Sequence, residues 1–371
     1  MTAEARLTID TGALRHNVGV LRRIAGPALV MAVVKANAYG HGALECALAF
    51  EEGGVDWLGV VDLDEAVALR RGGVSVPVLS WLHAPGETFE RAVQFEITPA
   101  VSDLAQLEAC VLAGVPSVHL CLDTGLSRNG AVESEWDALF DRAAALERTG
   151  ALSVEGVMSH LSNTSPQEDG HQSASFVRAV ELLAARGVHP PLKHLAASAA
   201  AFSFGDGVRL TMVRFGLAMY GLSPFPDRSS ADLGLRPALT LGVPVIGVKS
   251  VPAGEGTSYG YTWRASRDTR LALLPIGYAD GLERIAGNRA SILLGGRLCP
   301  VVGRMAMNAL TVDIGADDGA DSVVVSLGDQ AVLFGDALAG HPTVDDWAEA
   351  TGTINYEVVA RLSRRLPRRY T

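Results

Sequence analysis

The sequence predicts an α/β chain: a parallel (β/α)8 TIM barrel at the N-terminal side, followed by a mostly-β domain. Short apolar runs alternate with helix-period patterns from Leu29 to about Leu222. There are eight such runs, the number that closes a parallel barrel. After Gly221 the helical period gives way to closely spaced β patterns with glycine-rich turns. An open doubly wound sheet would show the same alternation and differ in strand count. At 371 residues the chain is long for one core, so two domains are expected, 1–230 and 231–371.

Taken in order, Arg6–Asp10 reads as a strand that precedes the barrel and is free to pair with the second domain. The barrel runs are Leu29–Val34, Trp57–Val61, Pro77–Trp81, Glu96–Val101, Ser117–Leu122, Leu152–Ser159, Leu192–Ala197 and Met212–Leu217. Helical patterns between them include Ala43–Glu52, Asp64–Arg71, Asp103–Leu112, Glu135–Arg148 and Gln172–Arg186. Asp62, Ser102 and Ser134 stand where helix caps are expected. Ser223–Ser230, with two prolines, reads as a linker. Beyond it come strand patterns at Leu239–Val251, Thr269–Leu274, Ala290–Leu294, Arg297–Val302, Ala309–Ile314 and Gln330–Phe334. A helix over Val344–Thr351, capped by Thr343, and a last one over Tyr356–Leu366, stopped by Pro367, complete the chain.

Composition excludes several classes of function. With 48% hydrophobic and 19% charged residues the chain is globular, and its net charge of −10 argues against nonspecific nucleic-acid binding. The locally basic tail, Arg361–Arg369, reads as a solvated helix end. Met1–Asp10 has no apolar leader pattern, and no stretch approaches a membrane span. Cys46, Cys110, Cys121 and Cys299 lack metal-ligand spacing and read as reduced thiols, so the cytoplasm is the expected location.

A barrel carries its chemistry just past the strand ends. Those positions hold Lys35, Asp62, His83, Asp123, His160, Ser198 and Arg214. Asp62 suits a helix cap; Lys35, His160 and Arg214 are poor caps and better candidates for function. Lys35 is the only lysine before Lys193, and it ends a buried strand ahead of a small-residue loop, Ala36–Gly42. A lysine there, once desolvated, gives up its charge and can form an imine.

Seven segments carry a family resemblance: Ala32–Gly42 (AVVKANAYGHG), Asp123–Gly130 (DTGLSRNG), Met158–His160 (MSH), Val213–Gly221 (VRFGLAMYG), Thr257–Gly260 (TSYG), Leu274–Gly281 (LPIGYADG) and Thr353–Glu357 (TINYE). In wording, order and spacing they resemble the alanine racemases over almost the whole chain. The resemblance implies a pyridoxal 5'-phosphate enzyme that interconverts L- and D-alanine and supplies D-alanine as a peptidoglycan precursor. It also implies a homodimer with shared active sites. Lys35 would hold the cofactor and act as one acid/base, with Tyr259 of the neighbouring subunit as the other. Arg214 would face the pyridine nitrogen, held by His194, and an always-charged guanidinium there disfavours protonating that nitrogen. Tyr39, Ser198, Tyr356 and the amides of Gly216 and Leu217 would hold the phosphate, with His160 beside the ring. Arg128 and Met307 would address the substrate carboxylate, and Tyr278 would narrow the entrance, with Arg284 and Arg304 further out.

Three positions depart from the family pattern. Cys121 replaces a lysine that is often carbamylated and positions the arginine matching Arg128, Ala197 replaces an asparagine, and Asn308 replaces an aspartate. A buried guanidinium without its partner costs about 3–5 kcal/mol, so a bound anion or Asp123 is expected to supply the missing charge at Arg128. The departures keep open a racemase of another small amino acid such as serine, and a cofactor-binding protein with weak or no catalysis. A related amino-acid decarboxylase is a further alternative, although such enzymes place an acid where Arg214 stands.

Overall fold

The computed structural model describes residues 4–203, 209–316 and 324–371. The chain divides into two compact units, one of Leu14–Ala38 and Ala43–Leu235, the other of Met1–Ala13, Tyr39–Gly42 and Arg236–Thr371.

Strand β1 (Arg6–Ile9) belongs to the second of these units. The first unit holds β2 (Leu29–Val33), β3 (Trp57–Val60), β4 (Val78–Ser80), β5 (Ile97–Val101), β6 (Ser117–Cys121), β7 (Ser153–Met158), β8 (Leu192–His194) and β9 (Met212–Phe215). Each pairs in parallel with the next from β2 to β8, and β9 pairs with β2. Between β8 and β9 two single backbone bonds replace the ladder: Thr211 N to Lys193 O at 3.2 Å and Arg214 N to Ala196 O at 3.1 Å. The predicted barrel is therefore the observed one. Its strands β3 and β9 are buried along their whole length, as strands with helices on one face and a filled interior on the other must be.

Each barrel strand sends one side chain into a shared interior cluster: Met31, Trp57, Leu79, Ala100, Cys121, Met158, Leu192 and Met212. By the two-residue alternation of a strand, His119, His194 and Arg214 lie on the same inward face as Cys121, Leu192 and Met212. The barrel thus buries two imidazole rings and one guanidinium among its apolar lining. Gly156 on β7 leaves the room they need, because a Cβ there would lie 2.5 Å from His119 Nδ1.

Helices α1 (Thr11–Ala25), α2 (Ala43–Glu52), α3 (Leu63–Arg71), α4 (Glu90–Gln94), α5 (Leu104–Ala113), α6 (Glu133–Thr149), α7 (Pro166–Ala185) and α8 (Ser198–Ser203) alternate with the strands. Asp62 caps α3 by accepting from Glu65 N at 2.9 Å. The expected caps Ser102 and Ser134 are corrected. Asp103, whose backbone is extended, accepts from Gln106 N and caps α5. In α6 the helix starts earlier, and Glu135 reaches back to Val132 N at 3.3 Å. Helix α7 also begins before the expected Gln172, because Ser165 caps it and Pro166 takes the first-turn place where no N–H is needed.

The second unit is built on one sheet. Its strands are β1, β10 (Leu239–Pro244), β11 (Gly247–Val251), β14 (Thr269–Leu274), β15 (Ser291–Leu294), β16 (Arg297–Val302), β17 (Leu310–Gly315), β18 (Gln330–Phe334) and β19 (Arg368–Tyr370), with the two-stranded β12 (Gly256–Thr257) and β13 (Trp263–Arg264) beside it in sequence. The order is β11-β14-β17-β16-β15-β18-β10-β1-β19. The single run expected over Leu239–Val251 breaks at Val245 and Ile246, whose amides bond Asp329 O and Leu273 O. Its halves consequently join different neighbours, β18 and β14. Helix α9 (Val344–Thr351) starts on the Thr343 cap. Helix α10 (Asn355–Ala360) ends short of the expected Leu366, and the basic tail is not a helix end. Arg368 there donates from Nε to Gly40 O at 2.8 Å, and β19 pairs in parallel with β1.

Candidate active site

β2 ends at Val33, and Lys35 follows after Val34. The loop expected after it is a turn of left-handed helix: Ala36, Asn37, Ala38 and Tyr39 have φ of 54°, 56°, 53° and 51°. Each such L-residue costs about 1–2 kcal/mol, so the turn needs external support. Ala36 N donates to Glu65 Oε1 at 2.7 Å, Ala38 N to Val34 O at 2.8 Å, and Ala43 N to Asn37 Oδ1 at 3.1 Å. Burial pushes the Lys35 amine below its ordinary value, Arg128 and Arg214 add to that, and Glu65 opposes it.

Arg214 lies within β9 rather than past its end, with its guanidinium buried in the barrel. Nη1 donates to His194 Nδ1 at 3.0 Å and to His194 O at 2.8 Å. Nη2 donates to Ser159 O at 2.6 Å, Leu195 O at 3.1 Å and His160 Nδ1 at 3.1 Å. Among the described residues its partners are two imidazoles and three carbonyls, and no carboxylate. Burial lowers its pKa to about 10, so the group stays cationic at neutral pH. The same burial, with Arg214 beside it, holds His160 down to about 3. His160 is therefore neutral, and because Nδ1 accepts, its proton is on Nε2.

Ser198 opens α8, and its Oγ accepts from Gly216 N at 3.2 Å. Gly216 and Leu217 begin a one-turn 3-10 helix, Leu217–Tyr220, anchored by Tyr220 Oη donating to Val33 O at 2.9 Å. That bond ties the Gly216–Leu217 turn to the last residue of β2, two residues before Lys35.

Arg128 is exposed in the chain and, among the described residues, makes no ion pair. In the single chain water screens the guanidinium, and no cost of burying it without a partner arises there. Asp123 does not take the role of counter-charge either; its Oδ1 accepts from Gly125 N at 2.9 Å and Ser127 N at 3.0 Å, organising the loop that carries Arg128. Burial raises the Cys121 thiol, so it stays protonated and supplies no charge. His83 caps nothing; it faces Glu87 at 3.4 Å and Ser80 O at 3.3 Å.

The other unit holds the remaining candidates. The rings of Tyr39 and Tyr356 lie 6.3 Å apart, and burial raises both phenols, so both stay protonated. Tyr278 and Met307 share a close backbone crossing: Tyr278 N bonds Ala306 O at 3.2 Å and Ala279 N bonds Met307 O at 2.9 Å. Tyr259 is 69% exposed in the single chain. Ser258 before it has φ 61° and ψ −175°, and its Oγ donates to Arg304 O.

Three contributors were not read from the sequence. Glu65 is three residues after the Asp62 cap, so it reads as ordinary helix-start chemistry. His119 alternates with Cys121 on β6, and its inward direction is the signal that could have found it. Tyr220 looks like core.

The N-terminal domain family of alanine racemases matches residues 9–224, and the C-terminal domain family of alanine racemases matches residues 238–370. The chain is 46% identical to an alanine racemase of Mycolicibacterium smegmatis, over 99% of this chain and 95% of that one. It is 45% identical to one of Frankia casuarinae, over 98% and 95%. A crystal structure of alanine racemase from Streptomyces lavendulae superposes with a TM-score of 0.95 at 38% identity, covering 100% of this chain and 98% of that one. The alanine racemase of Streptomyces coelicolor gives 0.94 at 40% identity, with the same coverage.

Proposed function

This chain belongs to the alanine racemase family, and from that premise we propose that it interconverts L- and D-alanine with pyridoxal 5'-phosphate attached to Lys35. The observation that carries the proposal is Arg214: a buried cation hydrogen-bonded to neutral acceptors, near a lysine whose proton is loosely held. The residues present fit the cofactor. Lys35 offers an amine of lowered pKa, Arg214 a cation without a carboxylate partner, and Ser198, Gly216 and Leu217 a compact polar turn. When bound, pyridoxal phosphate supplies an electron sink that makes the substrate α-hydrogen acidic.

The chain's own groups then move the proton. Racemisation requires a proton taken from one face of Cα and returned on the other, and two different groups satisfy this directly. Lys35 Nζ serves one face and Tyr259 Oη the other, with Tyr259 contributed by a second copy of the chain. The open Tyr259 supports that arrangement. Arg214 would hold a positive charge toward the bound cofactor's ring, a setting that would favour return of the proton to Cα over competing outcomes. A decarboxylase would be better served by an acid there. His160 and His194 hold the guanidinium, Tyr39, Ser198, Tyr356, Gly216 and Leu217 anchor the phosphate, and Arg128 and Met307 receive the substrate carboxylate beside Tyr278. No helix among the described residues is long and apolar enough to cross a membrane.

The test is a chiral assay against a panel of small amino acids, with Lys35→Ala as the blank and borohydride trapping read by peptide mass spectrometry. Alanine as the preferred substrate, with the adduct on Lys35, supports the reading. Preferred turnover of serine, faster CO2 release than racemisation, or an adduct elsewhere would overturn it.

A further inference from the structure

Glu65 is outside the residues that the family resemblance singles out, yet its carboxylate joins two barrel strand ends. Oε1 accepts from Ala36 N at 2.7 Å, and Oε2 accepts from Val61 N, just past β3, at 3.1 Å. Its own backbone is fixed in the first turn of α3 by the Asp62 cap. The short reach from a rigid helix start to Ala36 therefore sets where the left-handed turn begins.

Ala36 N is the first amide after the lysine. Within this turn Ala38 N bonds Val34 O, but Ala36 N takes its acceptor from a later element. Glu65 provides that acceptor, a charged one, which makes the stronger kind of hydrogen bond. The same carboxylate also acts on the Lys35 amine, raising it against the pull of Arg128 and Arg214.

We infer that Glu65 is a positioning residue for Lys35: its carboxylate, bonded to the amide that follows the lysine, pins the turn that fixes the lysine's direction and places a negative charge next to the residue that carries the amine. The inference rests on the reading of Lys35 as the attachment lysine. It separates two roles that one side chain performs. An acceptor oxygen suffices for the pin, whereas only the ionised group supplies the charge.

The test uses the full chain without cofactor, with acetic anhydride as the probe. Acetylation of Lys35 is followed against pH by peptide mass spectrometry, and hydrogen exchange is followed over the segment containing Ala36. Glu65→Gln keeps an oxygen for Ala36 N and removes the charge. Lys35 should then acetylate about three- to tenfold faster near neutral pH, with exchange little changed. Glu65→Ala should show the same acetylation change and at least about tenfold faster exchange at Ala36. If Glu65→Ala does not fold, Glu65→Asp, one carbon too short, serves for the exchange measurement. Unchanged acetylation in Glu65→Gln, or unchanged exchange in the shortened variant, overturns the inference. Borohydride trapping of the wild-type holoenzyme is the separate check: an adduct away from Lys35 defeats the attachment reading, whatever the Glu65 variants do.

Discussion

His194 Nε2 stands 2.8 Å from His119 Nδ1 inside the barrel, with the two ring planes crossing at 71°. Arg214 sets the direction of this bond. A guanidinium only donates, so His194 Nδ1 accepts, its proton sits on Nε2, and His119 Nδ1 accepts in turn. The remaining His119 proton is then on Nε2, which has no hydrogen-bond partner among the described residues and sits in a ring packed 5.3 Å from the Trp57 ring. The chain of donors therefore runs one way, from a fixed cation to an apolar wall.

This chain gives stability a pH dependence of known sign. Burial, with Arg214 adding to it, holds His119 down to about 3, and burial holds His194 well below its ordinary 6.5. In the unfolded chain both rings take up protons below about 6.5. Between there and about 3 the unfolded state binds more protons, so stability is fully present above the upper limit and is lost as pH falls. The loss is about 1.4 kcal/mol per pH unit for each ring. Urea unfolding at pH 7 and pH 5 should differ by about 2–4 kcal/mol; equal midpoints would mean that the rings already carry protons in the folded chain.

The space at Gly156 decides whether the His119 ring fits. A Cβ at that position would lie 2.5 Å from Nδ1 and 2.6 Å from Cε1 of His119. The strand cannot yield, since Gly156 pairs with both β6 and β8. Gly156→Ala should destabilise by about 1–3 kcal/mol and lower activity by displacing the rings behind Arg214. Gly170 in α7 has nothing within 4 Å of its would-be Cβ, so Gly170→Ala should instead stabilise by up to about 1 kcal/mol. Thermal melts of the two variants check the contrast.

The fold was legible because period is legible. Eight apolar runs separated by helical patterns leave few architectures; some strand limits moved by a single residue, as at Ile97–Val101, whereas the runs expected over Leu192–Ala197 and Met212–Leu217 end early, at His194 and Phe215. The misses fall where period carries no signal. Ser102 and Asp103 are both good caps, and backbone angles chose between them. Nothing in Ala36–Tyr39 announces a left-handed turn, because its support comes from Glu65 in a later element. At the candidate site, residue types and motif spacing pointed to Lys35 and Arg214. The solvent exposure of Arg128 depends on loop placement, which the sequence alone does not carry.

Ser258 gives a prediction in which the smallest side chain does better than alanine. Its φ of 61° with ψ of −175° lies in a region that glycine alone occupies freely. The Oγ bond to Arg304 O helps hold it there. Ser258→Gly removes the strain together with the bond, whereas Ser258→Ala removes the bond and keeps the strain. Ser258→Ala should therefore be the less stable of the two by about 1–3 kcal/mol and should turn over more slowly, since Tyr259 is the next residue. Melting curves and kcat for the pair decide it; the reverse order would show that the Ser258 backbone holds no strain for glycine to relieve.

The exposed Tyr259 leads to the strongest test of a shared site. If Lys35 of one copy works with Tyr259 of another, Lys35→Ala and Tyr259→Phe are each inactive for different reasons. In a dimer formed from one of each, one site carries both changes and the other carries neither. Random re-association places half of the chains in such mixed dimers, so about one quarter of wild-type activity should return on mixing after mild dissociation. Each variant alone should remain lower by a factor of about 10² or more, the usual cost of losing a positioned acid or base. A site completed within one chain has no route to recovery, because every chain in the mixture lacks one of the two groups. Activity that stays at the level of the separate variants would thus place both groups in the same subunit.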